Sequence, residues 1–120
     1  MTRDELVTGI AARYNIAPDY PWNNLPDACV FRHADNRKWF CLYMPVPAHV
    51  LGREGEASES MLVPIINVKA RPEMVGSLRS MSGILPAYHM NKEHWVSVLL
   101  EEADAELIWG VLADSFQLTQ

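Results

Sequence analysis

The side chains best suited to chemistry are concentrated in one ten-residue stretch of the chain, residues 86–95. This stretch contains two imidazoles, an ammonium group, an amide and two large aromatic rings. Such groups can contact phosphate, form hydrogen bonds with a ligand and stack on a flat ring. We therefore predict a polar binding site at the entrance to a strand, with a ligand-binding set made of Tyr88, His89, Asn91, Lys92 and Trp95.

The same stretch also has a purely structural interpretation. Asn91 tolerates a left-handed turn, His89 can bond to the backbone and Trp95 can pack in the core. An enzyme that uses His89 as a general base would need a reacting group within hydrogen-bond reach, and the sequence identifies none. The sequence also lacks phosphate-binding glycine loops and the G-x-S-x-G, H-E-x-x-H and paired C-x-x-C motifs. We therefore predict no catalytic residue and no cofactor, and keep an enzyme as the weaker variant.

Two further groups of side chains could bind a metal or form a redox pair. His33, His89 and His94 would have to converge from separate parts of the chain to form a metal site, so we predict none. Cys29 and Cys41 would face each other in a symmetric hairpin, and a bulge in its loop would shift that pairing. We interpret them as buried, reduced structural thiols, with a redox pair as the alternative.

Charge is unevenly distributed along the 120 residues, whose formal net charge is −5. Residues 28–53 and 60–92 each carry a net charge of +3, whereas residues 93–120 carry −6. Arg32 precedes a predicted hairpin turn, and Arg37-Lys38 follow it. A basic hairpin can lie along a nucleic-acid backbone as a wing, and the alternative is an ordinary solvated turn.

The elements that must position these residues follow an α+β pattern. Thr2 and Glu5 form a capping box before a helix over about residues 3–14, and Pro72 and Asp104 can begin two more helices. The predicted strands are residues 28–33, 37–44, 61–69 and 95–100, with a short extended piece near 85–88. We predict a mainly antiparallel sheet with helices packed on one face.

The remaining segments indicate one domain over residues 1–120. Residues 52–60 are polar and contain glycine, which favours a mobile connection rather than a domain boundary. The second helix is predicted to bury Met74, Val75, Leu78 and Met81 and to stop at Gly83.

No apolar stretch approaches the roughly 20 residues that a membrane helix requires, and the first residues lack the apolar core of a signal peptide. The sequence therefore predicts a cytoplasmic protein with no membrane partner.

Four segments together carry a resemblance to a known family: residues 30–33, 36–40, 67–72 and 83–95. The most specific is the run Pro-Ala-Tyr-His-Met-Asn-Lys that precedes Trp95. In this order, and over nearly the whole chain, they resemble the MmcQ/YjbR family. The resemblance implies a small bacterial cytoplasmic protein with a frataxin-like (CyaY-like) fold and a non-enzymatic, double-wing type of DNA binding.

By this resemblance the hairpin supplies the wings of a local basic patch. The candidate nucleic-acid-binding residues are then Arg32, Arg37, Lys38, Lys69 and Lys92. The alternative function is a small-molecule or protein-binding domain centred on residues 88–95. The first hypothesis requires the cations to share one surface and binding to weaken steeply with salt, whereas the second requires a concave pocket beside that loop.

Overall fold

A computed structural model of the protein describes residues 1–51 and 61–120, so the loop predicted at 52–60 lies outside the described residues. Among these residues the elements in chain order are α1 (Arg3–Tyr14), β1 (Cys29–Arg32), β2 (Trp39–Pro47), a 3-10 helix (Ala48–Leu51), β3 (Leu62–Lys69), α2 (Pro72–Arg79), β4 (Ile84–Pro86), β5 (Trp95–Leu99) and α3 (Ala105–Leu118). No helix in these ranges is long and apolar enough to span a membrane.

Helix α1 begins at the predicted capping box. The hydroxyl of Thr2 accepts a hydrogen bond from the N–H of Glu5 at 3.1 Å, and the Glu5 carboxylate accepts one from the N–H of Thr2 at 2.9 Å. These reciprocal bonds satisfy two amide groups that a helix start leaves without partners. Leu6 and Ile10 then lie on the buried side of the helix.

The strands that the structure describes form one antiparallel sheet in the order β1-β2-β3-β5-β4. All three helices contribute to a core cluster on one side of the sheet, which includes Ile10 of α1, Val75 of α2 and Ile108 of α3. The predicted α+β class is therefore confirmed. The finer frataxin-like assignment stays a prediction of the family resemblance.

We call the opposite side of the sheet the open face. Its central row runs across four strands through the paired residues Val30, Leu42, Asn67 and Ser97. A smaller cluster of apolar side chains covers one end of this face. It includes Ile65 of β3 and Ala48 of the 3-10 helix.

The register of the β1–β2 hairpin differs from a symmetric pairing. Cys29 pairs with Tyr43, and Cys41 pairs with Phe31, so the two cysteines are not opposite each other. The register shifts at the next pair because β2 contains one extra residue, Phe40, which forms a bulge. The bulge turns Phe40 toward the helices, where it joins the core cluster together with Cys41.

Helix α2 begins at Pro72 as predicted but ends at Arg79, before Gly83. Val75 is buried, whereas Met74 and Met81 are 45% and 48% exposed, so their predicted burial is wrong. The helix is only eight residues long, and Met81 lies beyond its end.

Gly83 occupies a turn that requires glycine, and we expect Gly83→Ala to lower the free energy of unfolding by about 2 kcal/mol or more. Its φ is +88°, and an added Cβ would lie 2.7 Å from the backbone nitrogen of Ala103. The matched variant is Gly76→Ala in α2, where an added Cβ would have no neighbouring atom within 4 Å. Because alanine favours a helix over glycine, this variant should raise the free energy of unfolding by roughly 0.5–1 kcal/mol. Urea unfolding measures both variants, and effects of the same sign would contradict this geometry.

Both cysteines are free and buried, and we expect them to resist labelling by a disulfide reagent at pH 8 until the protein is unfolded. Burial raises the pKa of the Cys29 thiol to about 11, against a smaller opposing effect of Arg3, and it raises the pKa of Cys41 well above its usual range. Because the folded pKa exceeds that of the unfolded chain, stability should fall as the pH rises from about 8.5 toward 11. Rapid labelling of the folded protein would contradict this assignment.

Candidate functional site

Two fully buried polar side chains occupy the centre of the open face. Asn67 of β3 and Ser97 of β5 are paired neighbours with no exposed surface. The Ser97 hydroxyl donates to Oδ1 of Asn67, Nδ2 of Asn67 donates to the carbonyl of Tyr88 at 2.9 Å, and the N–H of Tyr88 donates to Oγ of Ser97 at 2.9 Å. These three bonds form a closed ring that fixes the backbone of Tyr88 over the open face.

Sequence reasoning did not assign a role to this pair. Asn67 belongs to a segment that carries the family resemblance, and Ser97 belongs to a predicted strand, but neither residue was predicted to have a role of its own. The signal that could have found them is a polar residue within each of two strands rich in Val, Ile and Leu. Such a residue must find a partner inside the protein, because burying it without one is costly.

The loop after Tyr88 separates the predicted ligand-binding set. His89 packs against the Tyr88 ring, with ring centroids 4.0 Å apart, and it adopts a left-handed backbone with φ of 58°. Asn91 shapes the turn, because its Oδ1 accepts from the N–H of Glu93 and its carbonyl accepts from the N–H of His94. Asn91 is therefore a turn residue, but the left-handed conformation that the structural interpretation assigned to it is found at His89 instead. Tyr88 and His89 are the members of the set that lie over the open face.

A cleft of about 410 Å³ opens on the open face beside this loop. One wall is the segment 24–28, the opposite wall is Tyr88 and His89, and Met44 and Val46 of β2 lie between them. The described residues that line it are Asn24, Leu25, Pro26, Asp27, Ala28, Met44, Pro45, Val46, Pro47, Leu62, Tyr88 and His89. Binding sites for small molecules are typically clefts of this size with mostly apolar walls and a few polar groups.

Lys92 and Trp95 lie apart from this cleft. Lys92 lines a second depression with Leu51 and Leu85, on the other side of Tyr88. Trp95 is half-buried and begins β5, where it pairs with Lys69. The five residues of the predicted set therefore do not all line one depression, although Tyr88 and His89 line both, and the role of the set in ligand binding stays a prediction.

Four of the five predicted nucleic-acid-binding residues lie near one end of the sheet. Arg32 ends β1 and Lys69 ends β3, while Arg37 and Lys38 precede β2. Because the strands are antiparallel, β1 and β3 end where β2 begins. We call this the basic end, and it consists of these four cations. Lys92 lies in the loop before β5, where it lines a depression with Val50 and Leu51.

Part of this charge is balanced by Asp19, a partner that the sequence did not reveal. Oδ2 of Asp19 lies 3.0 Å from Nε of Arg32, in an ion pair without hydrogen-bond alignment, and 3.6 Å from a terminal nitrogen of Arg37. Backbone hydrogen bonds to Val30 place Asp19 beside β1. Within the described ranges no salt bridge involves the two lysines of the basic end, Lys38 and Lys69.

A cation–indole contact lies across neighbouring strands at the basic end. Arg32 pairs with Trp39, and its guanidinium carbon lies 5.7 Å from the indole centroid. Lys69 and Trp95 are paired residues in the register of β3 and β5. Trp22 packs edge-on against Trp39, with centroids 5.8 Å apart.

The C-terminal turns of α3 hold the basic end in place. The buried Ser115 hydroxyl donates to the carbonyl of Phe40 at 2.6 Å and accepts from the N–H of Lys69 at 2.8 Å. It thereby satisfies two backbone groups at the bulge. Most acidic residues near α3 lie toward its other end, at positions 101–106, although Asp114 lines a small depression with Lys69.

The predicted wing is fixed rather than free. Nε2 of His33 lies 2.7 Å from Oγ1 of Thr119, and Nδ2 of Asn36 donates to the carbonyl of Thr119 at 2.9 Å. The His33 ring also packs against Phe40 and Phe116. His33 is therefore buried under α3, and within residues 1–51 and 61–120 no group of three or more His, Cys, Asp or Glu is placed to hold a metal.

Comparisons with known proteins agree with the sequence resemblance. The model of the YjbR family matches residues 11–118. The uncharacterized protein YyaQ of Bacillus subtilis (strain 168) is 39% identical over all of this chain and 99% of its own length. A crystal structure of a Pseudomonas syringae protein superposes with a TM-score of 0.94 and 46% identity over the full length of both chains. A crystal structure of a Deinococcus radiodurans protein has a TM-score of 0.68 and 25% identity over 98% of this chain and 77% of that one.

We expect Ser97→Ala to lower the free energy of unfolding by about 1–3 kcal/mol, because the buried Tyr88 N–H and Asn67 Oδ1 lose their partner. Hydrogen exchange at the Tyr88 amide should become faster as well. The control Ser80→Ala removes an exposed hydroxyl that bonds to the carbonyl of Ser77, and it should change stability by less than about 0.5 kcal/mol. Equal stability and equal Tyr88 exchange in both variants would exclude the ring as the anchor of this loop.

Proposed function

Because the chain belongs to the MmcQ/YjbR family, we propose that it has the function which the family resemblance implies, DNA binding, and that the basic end is the contact surface. The observation that carries this proposal is that Arg32, Arg37, Lys38 and Lys69 come from strand ends and a turn that meet at one end of the sheet. Arg32 and Lys69 each lie opposite a half-buried tryptophan of the neighbouring strand. Phosphate contacts position a nucleic acid on a protein, and aromatic side chains stack on unpaired bases.

The lysines contribute most of the unpaired charge at this surface. Lys38 and Lys69 have no salt bridge among the described residues, whereas Arg32 and Arg37 share Asp19. The net charge of the whole chain is −5, which confines any attraction for phosphate to this local patch. We therefore expect weak binding with a clear dependence on salt concentration.

The fixed hairpin turn favours single strands over duplex DNA in this proposal. Since His33 and Asn36 hold the turn against α3 through Thr119, the turn would enter a groove only together with the rest of the domain. Arg32 beside Trp39, and Lys69 opposite Trp95, instead offer neighbouring positions for a phosphate and a base.

Fluorescence anisotropy with labelled single-stranded and duplex DNA at two salt concentrations tests this proposal. We expect Lys38→Ala combined with Lys69→Ala to weaken binding and to reduce the slope of log K against log salt by about one per lost phosphate contact. Arg37→Ala combined with Lys38→Ala tests the hairpin turn alone.

The matched control is Arg79→Ala. Arg79 is the last residue of α2, whereas Arg71 caps the start of that helix, next to the end of β3. Binding and salt slope should stay the same in this variant. Absence of binding to either DNA at low salt, or an equal loss in the Arg79 control, would rule out the basic end as the contact surface.

A further inference from the structure

We propose that the open-face cleft binds a small organic amine, with a flat apolar body between the two walls and a protonated nitrogen beside Asp27. The cleft lies on the open face where β2 ends and β3 begins. It is therefore at the opposite end of the sheet from the basic end. This site therefore goes beyond the proposed contact with nucleic acid and does not depend on it.

The walls of the cleft are built before any ligand arrives. The closed ring of hydrogen bonds from Asn67 and Ser97 fixes the backbone of Tyr88, and His89 follows in a left-handed conformation that is uncommon for a residue other than glycine. Such backbone strain is concentrated at binding and catalytic sites. On the floor and opposite wall, three prolines of the lining have little conformational freedom to lose on binding.

The lining selects an apolar ligand body. Nine of its twelve residues are apolar or aromatic. Leu25 on one side is 47% exposed and Leu62 on the other is 57% exposed, so both present apolar surface to solvent in the empty cleft. A flat ring between Tyr88 and Leu25 would bury this surface, and burial of apolar surface drives binding.

The charge of the lining selects an amine over an acid. Asp27 is the one carboxylate in the described part of the lining, and none of the residues described there is a Lys or Arg. Among the described residues Asp27 has no salt-bridge partner. Lys92, the cation of the loop that supplies Tyr88 and His89, lines the adjoining depression and is not in the described lining of the cleft. A carboxylate ligand would therefore meet a like charge, whereas an ammonium group would gain a partner.

Three indole compounds of similar size and different charge test this proposal by NMR titration of the full chain. Tryptamine carries an ammonium group, tryptophol a neutral hydroxyl and indole-3-acetate a carboxylate. We expect tryptamine to shift the amide signals of residues 24–28 and 88–89, tryptophol to bind about tenfold more weakly and indole-3-acetate to leave these signals unchanged.

Two variants separate the contribution of charge from that of shape. Asp27→Asn should reduce tryptamine affinity to that of tryptophol, whereas Asp35→Asn, at the exposed hairpin turn, should leave the preference unchanged. Leu25→Ala replaces an exposed side chain and should weaken all binding by several-fold. Failure of every compound to shift these signals at millimolar concentration, or an amine preference that survives Asp27→Asn, would overturn the proposal.

Discussion

Buried hydrogen-bonding groups must find partners, and in this protein that requirement determines where the chain goes after β4. Asn67 and Ser97 place an amide and a hydroxyl in the centre of an otherwise apolar sheet. Neither strand offers them enough partners, so the backbone of Tyr88 crosses the open face to supply both a donor and an acceptor. The position of the loop, the second wall of the cleft and the separation of Lys92 from that cleft all follow from this closed ring.

The sequence predicted the elements well where the determinants are local. The capping box of Thr2 and Glu5 located the start of α1 because both partners lie within four residues. The register of the β1–β2 hairpin could not be predicted in the same way. Its bulge exists because Phe40 packs against Tyr14 of α1 and Phe116 of α3, which lie far from it in sequence. Local patterns define a strand, whereas its partners in the core decide its register.

The candidate site was harder to predict than the fold, because its partners come from segments without a pattern. The sequence identified the cations of the basic end but not Asp19, which reaches Arg32 and Arg37 from the irregular segment before β1. The segment 24–28 likewise forms a wall of the cleft without belonging to any helix or strand. Asn91 was predicted as a ligand-binding residue and also as a turn residue, and the contacts of its side chain support the second interpretation.

The attachment of the hairpin turn to α3 also orders events during synthesis of the chain. His33 and Asn36 leave the ribosome 86 and 83 residues before Thr119, to which they bond. The hairpin can pair while the ribosome is still translating, since both strands are present early and their contacts are local. Its tip acquires its final partners only once α3 has been translated. The nascent protein therefore carries an unsecured cationic turn until Thr119 has been translated and has reached it.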